Sequence, residues 1–246
     1  MKIITMFAAG GLMAAGLAVC ASDGAKRAAV LVELFTSEGC SSCPPADVLL
    51  ESLDRAQPVE GAEIVVLSEH VDYWNQIGWT DPFSSSRYSQ RQQAYARRFR
   101  LDGGYTPQMV VDGTTEFVGS DGRRAIADIG KAARTAKAAV RILPTEDRSR
   151  VRIEVEGAAN AEVFLAVALN EAVSQVMRGE NKGRKLTHVA VVQSLTQIGK
   201  VAANGSFSRE IELPADKKAD PKGYRYAAFV QERGQGRILG TALLKP

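Results

Sequence analysis

Of 246 residues, 45% are hydrophobic, and 31 Lys and Arg stand against 28 Asp and Glu, for a net charge of +3. So small an excess of positive charge argues against nucleic acid as a partner. The length suffices for one large domain or two small ones.

The chain opens Met1-Lys2 and runs apolar and small to Val19-Cys20-Ala21, the pattern of a secretory signal peptide spanning residues 1–21. Val19 and Ala21 suit the −3 and −1 positions of a cleavage site. A lipoprotein reading would instead keep Cys20 as the lipid-bearing N-terminus, although Val19 is large for such a site. The apolar run is short and broken by glycine, so no stable membrane span is expected. Export places the chain in the periplasm or outside the cell and leaves Cys40 and Cys43 as its cysteines, in a compartment where disulfides persist.

Val30 to Thr36 is a short apolar run with β-branched residues and reads as a buried strand. Cys40-Ser41-Ser42-Cys43 follows. Then comes a helix over 46–56, with Ala46, Leu49, Leu50 and Leu53 on one face. A second strand spans 63–68, and a loop carries Asp72-Tyr73-Trp74 and Trp79-Thr80-Asp81-Pro82-Phe83. Ser84, Ser85 and Ser86 offer caps for a helix over 87–101, with Tyr88, Tyr95 and Phe99 on one face. Arg87, Arg91, Arg97, Arg98 and Arg100 read as its solvated face. A hairpin joins 108–111 to 116–118 through Asp112-Gly113. A last helix covers 123–137, with Ile126, Ile129 and Ala133 inward.

From there the composition changes. Strands are expected at 140–143, 150–155, 161–169, 186–192, 207–213, 224–230 and 238–244. Val151, Ile153 and Val155 alternate with Arg152 and Glu154, as in a sheet with one wet face. The pattern fits an antiparallel β-sandwich-like domain over 138–246, following an α/β domain over 28–137.

The two thiols carry the chemistry. A strand ending near Cys40 with a helix opening behind it aims the dithiol at the partial positive charge of a helix N-terminus, which favours thiolate. Pro44 and Pro45 are tolerated only in a first helical turn. A residue before proline avoids the α region, which would delay the helix to Pro45 and share the dipole between Cys43 and Cys40. Cys40 thiolate would attack a disulfide sulfur, and Cys43 would resolve the mixed disulfide. This chemistry needs one sulfur reachable from outside. A staple is the weaker explanation, because so short a loop stabilises by only about 2 kcal/mol.

Thr106-Pro107, at the start of a strand and after a glycine turn, fits a cis X-Pro bond that leaves backbone groups for a bound peptide. Thr106, Pro107 and Trp74 are therefore candidate substrate-binding residues. His70, at the end of the second strand, is the candidate proton carrier. No cofactor is called for.

The segments Phe35 to Asp47, His70 to Asn75, Trp79 to Phe83, Tyr105 to Gln108 and Gly179 to His188 resemble the motifs of a bacterial secreted family of unknown function, numbered 1223. The order of elements over about residues 28–137 also resembles the thioredoxin fold, with two serines in place of the usual glycine–proline pair. The resemblance implies a thioredoxin-like domain followed by a β-rich one and brings no established activity. The leading expectation is a periplasmic thiol–disulfide oxidoreductase whose partners are thiol- or disulfide-bearing periplasmic proteins. One alternative is a Cu(I)-handling protein in which His70 or His188 completes a dithiolate site. Another is a binding module with a regulatory disulfide.

Overall fold

The structure, a computed structural model, describes residues 27–146, 149–213 and 223–245. The leader read at residues 1–21, with Cys20, lies outside the described residues.

Strands β1 (Ala28–Thr36) and β2 (Ala62–His70) are buried along nearly their whole length, as continuous apolar runs are when a parallel sheet is covered on both faces. They pair in parallel from Ala28↔Ala62 to Thr36↔His70, connected by helix α1 (Pro44–Ala56). On the other side of β1 lie β3 (Gln108–Val111) and β4 (Thr115–Val118), an antiparallel hairpin. The period-two alternation of β1 sorts the helices. Val30, Val32 and Leu34 pack with Leu50 and Leu53 of α1 and Ile129 of α3 (Gly122–Ala133). Leu31 and Phe35 point the other way, toward Tyr88 and Tyr95 of α2 (Ser86–Phe99). Each fully buried Leu or Ile contributes about 1.5–3 kcal/mol.

Two helix faces differ from expectation. Arg91 is buried in α2, while Arg87, Arg97, Arg98 and Arg100 are exposed. Its guanidinium donates to Glu33 Oε1 at 2.6 Å and lies over the rings of Tyr95, Phe164 and Phe229. The α3 stripe is Ala125, Ile129 and Ala132, whereas Ile126 is 39% exposed. A single turn's phase decides which of two adjacent apolar residues faces the sheet.

The second half does not stand apart. Strands β5 (Ala139–Pro144), β6 (Arg150–Glu156) and β9 (Ser206–Glu212) form a three-stranded sheet. Strands β7 (Ala161–Gln175), β8 (Lys185–Lys200), β10 (Tyr224–Glu232) and β11 (Ile238–Leu244) instead extend the first sheet. The result is an eight-stranded mixed sheet in the order β11-β10-β7-β8-β2-β1-β3-β4. Its junction is a parallel bridge, Ser68↔Val191. The strands expected at 161–169, 186–192, 224–230 and 238–244 thus continue the sheet of the first half, and β8 covers the edge of β2 at that bridge. Face-to-face sheet packing does occur, with Val151, Ile153 and Val155 of the small sheet against Val163, Leu165 and Val167. Alternate residues Ala166 and Ala168 face the α2 side.

β7 and β8 also run well past the expected 161–169 and 186–192, to 15 and 16 residues. Asn170, Glu171 and Ser174 interrupt the apolar run and conceal this extension in the sequence. The added length carries the β7–β8 turn to the cysteines.

Candidate functional site

Cys40 and Cys43 are joined by a disulfide, with Cα atoms 5.4 Å apart. The loop is wound as a turn: Cys43 N–H donates to the Cys40 carbonyl at 3.2 Å, and Ala46 N–H to that of Cys43 at 2.8 Å. Helix α1 opens at Pro44, one residue earlier than the pre-proline restriction favours. Cys43 occupies the N-cap in the α region, at φ −78° and ψ −37°. The positive end of the helix therefore bears directly on Cys43.

Both cysteines have no exposed surface, although Ser41 and Ser42 between them are exposed. The expectation of one reachable sulfur is not met. The turn between β7 and β8 is bound to this loop. Asn181, buried, donates through Nδ2 to the carbonyl oxygens of Glu38 and Cys40, both at 2.9 Å. Glu180 accepts from Ser41 N–H at 3.0 Å, and the Ser41 side chain together with that N–H holds its carboxyl below the ordinary range. Gly179 makes the approach feasible, since a Cβ there would lie 3.2 Å from Trp79 Cβ and its φ is +73°. From another side Trp74 abuts Gly39, where an added Cβ would sit 3.1 Å from Trp74 Cβ.

A set of ionisable side chains is buried beside this loop. Glu38, two residues before Cys40, receives Trp79 Nε1 on Oε2 at 2.7 Å and the Ser174 hydroxyl on Oε1. Asp47, in the first turn of α1, receives Thr36 Oγ1 at 3.0 Å. Between them lies His188 of β8, with Nε2 3.4 Å from Glu38 and Nδ1 3.7 Å from Asp47. These separations are Coulombic contacts, and neither ring nitrogen closes a hydrogen bond. Burial opposes the imidazolium, but Asp47 and Glu38 outweigh it and raise His188 to about 10.

His70 stands behind His188, ring centroids 4.7 Å apart. Its Nδ1 is 2.7 Å from Asp81 Oδ2. Burial pushes the Asp81 carboxyl up, but His70 and the N–H groups of Glu38 and Phe83 prevail and hold it below its ordinary range. Both histidines are buried, but His70 is engaged with Asp81, and the histidine that faces Glu38 and Asp47 is His188. The third candidate group lies at the mouth of β3. The Thr106–Pro107 peptide is cis, Pro107 is buried and Thr106 partly so. Trp74 Nε1 donates to Thr106 Oγ1 at 2.7 Å, which brings the three proposed substrate contacts, Trp74, Thr106 and Pro107, into one patch.

Residue spacing missed Glu38, Asp47, Glu180 and Asn181 as members of this site, and gave His188 only a place in a copper alternative. Their signal lay in the segments Phe35 to Asp47 and Gly179 to His188, which the tertiary structure brings together. Among the described residues no group of three or more His, Cys, Asp and Glu is placed to hold a metal, and no helix is long and apolar enough to cross a membrane.

No curated protein matches the chain. A protein of Agrobacterium tumefaciens solved by X-ray crystallography is similar at 28% identity and TM-score 0.71, covering 89% of this chain and 94% of that one. A domain of the outer membrane lipoprotein Omp28 from Porphyromonas gingivalis is similar over 45% of this chain and 88% of that one, at 12% identity and TM-score 0.27, too slight to carry an argument. A family model described as "Protein of unknown function (DUF1223)" matches residues 31–231, and the chain belongs to that family.

Proposed function

We propose that this chain is an exported thiol–disulfide exchange protein whose Cys40–Cys43 centre is gated by the β7–β8 turn. The observation that carries the reading is the burial of Glu38, Asp47 and His188 beside the disulfide. Even paired, buried ions add little net stability, and a simple staple has no use for them. Ionisable groups packed against a redox pair are what proton-coupled exchange requires. The strand order β2-β1-β3-β4, with α1 and α3 on one face and α2 on the other, supports a thioredoxin-like reading of the first half. The packed sheets support a sandwich-like one of the second.

Exchange then proceeds only after the turn carrying Glu180 and Asn181 lifts. Cys40 thiolate attacks a partner disulfide, and Trp74, Thr106 and Pro107 border the incoming chain. The partners are secreted or periplasmic proteins bearing thiols or disulfides.

The test is trapping. In the Cys43→Ala variant, Cys40 should accumulate mixed disulfides with other exported proteins, and more of them when Asn181→Ala is added. Absence of trapped species in both variants would return the disulfide to a structural role.

A further inference from the structure

The exchange reading leaves one step without an assigned group. Once Cys40 holds a partner in a mixed disulfide, Cys43 must give up its proton before it attacks. Cys43 has no exposed surface in the closed, oxidised centre, and a carboxyl on its own helix is placed to accept that proton. Asp47 lies four residues on, one helical turn away, where side chains are neighbours. Its N–H donates to the Cys43 carbonyl oxygen at 3.2 Å.

The surroundings of Asp47 are fixed from several elements. Thr36 of β1 donates to Oδ1 at 3.0 Å, and His188 of β8 faces Oδ2 at 3.7 Å. The opposite edge of the His188 ring faces Glu38 at 3.4 Å. His70 of β2 closes a third side with Asp81 behind it, and the Phe83 ring a fourth, its centroid 6.1 Å away.

We propose that His188 is a positioning residue of the dithiol centre, clamped between Glu38 and Asp47 so that the Asp47 carboxylate takes the Cys43 proton. As that proton leaves, the Cys43 sulfur bonds to the Cys40 sulfur. The bond from Cys40 to the partner sulfur breaks, and its electron pair departs on the partner as thiolate. The proton rests on Asp47, and no outside oxidant enters. Asp47 is the catalytic residue and His188 acts through it. Because His188 keeps its charge up to about pH 10, it serves as a fixed cation and not as the acceptor. The inference rests on the exchange reading and deepens it: the strands after residue 138 complete the centre.

The experiment uses the full chain and Ellman's reagent, a small aromatic disulfide. Its first coloured thiolate reports attack by Cys40 and its second reports resolution by Cys43. Asp47→Asn and His188→Gln should slow the second release by about tenfold or more, the low end of general-base effects, and shift its pH profile upward. The first release should change less. A second release at the wild-type rate with an unchanged profile in folded His188→Gln overturns the proposal. If His188→Gln does not fold, an unchanged second release in folded Asp47→Asn overturns it instead. A wild type that gives no second release overturns the exchange reading itself. The thiolate absorbance of the reduced proteins then decides His188 separately: an upward shift of Cys43 ionisation in the variants supports the clamp, and coincident curves overturn it.

Discussion

The side-chain amide of Asn181 donates to the carbonyl oxygen of Cys40 across 2.9 Å, joining residues 141 positions apart. The same amide reaches the Glu38 carbonyl, so one buried side chain ties the β7–β8 turn to the backbone on both sides of Gly39. Loops of this kind open more readily than the sheet that carries them.

Asn181→Ala leaves those carbonyls without their donor, which destabilises by about 1–3 kcal/mol when the groups stay buried. The turn should loosen, and reduction of the Cys40–Cys43 disulfide by a small thiol should be faster than in wild type. Stopped-flow reduction kinetics check this. An unchanged rate would mean that another element seals the sulfurs.

Arg225 of β10 grips Asp54 of α1 in a bidentate pair at 2.8 and 2.9 Å, both buried. This pair fastens the helix behind the dithiol to strands of the second half. Arg225→Ala leaves the buried Asp54 facing the half-exposed Lys245 ammonium at 3.6 Å, with an expected loss of at most about 3–5 kcal/mol. Urea unfolding measures it, and a loss within a few tenths of zero would show that the pair is not coupling the halves.

Rising pH should weaken the fold in two stages. Burial, with Glu33 beside it, holds the Glu69 carboxyl well above its ordinary 4.5. Above that value the unfolded chain releases a proton that the folded one keeps, so stability falls as pH rises. His188, raised from 6.5 to about 10, has the same sign: its contribution is complete below 6.5 and is lost as pH rises through 10. Each group adds a slope of at most about 1.4 kcal/mol per pH unit. Chemical denaturation across pH should show Glu69→Gln flattening the decline from 4.5 upward and His188→Gln flattening it between 6.5 and 10. Curves parallel to wild type would contradict both assignments.

Reducing the Cys40–Cys43 disulfide should lower stability by no more than about 2 kcal/mol, the loop-entropy value for so short a closure. A markedly larger loss, read by urea unfolding with and without a small-thiol reductant, would mark the pair as a staple and weaken the exchange reading.

What the sequence determined by itself is local. The apolar runs and the 3.6-residue spacings located the strands and helices, and the two prolines placed the helix opening behind the cysteines to within a residue or two. The joining of the cysteines followed from their separation by two serines. These features depend on residues within a turn or a strand of one another. The burial of Arg91, the extension of the sheet through Ser68↔Val191, and the meeting of Glu38, Asp47 and His188 were decided only by the tertiary structure. A long arginine or a lone histidine has no local pattern that says which way it points. Its place is set by strands that pair across most of the chain, where edge satisfaction and charge pairing act together.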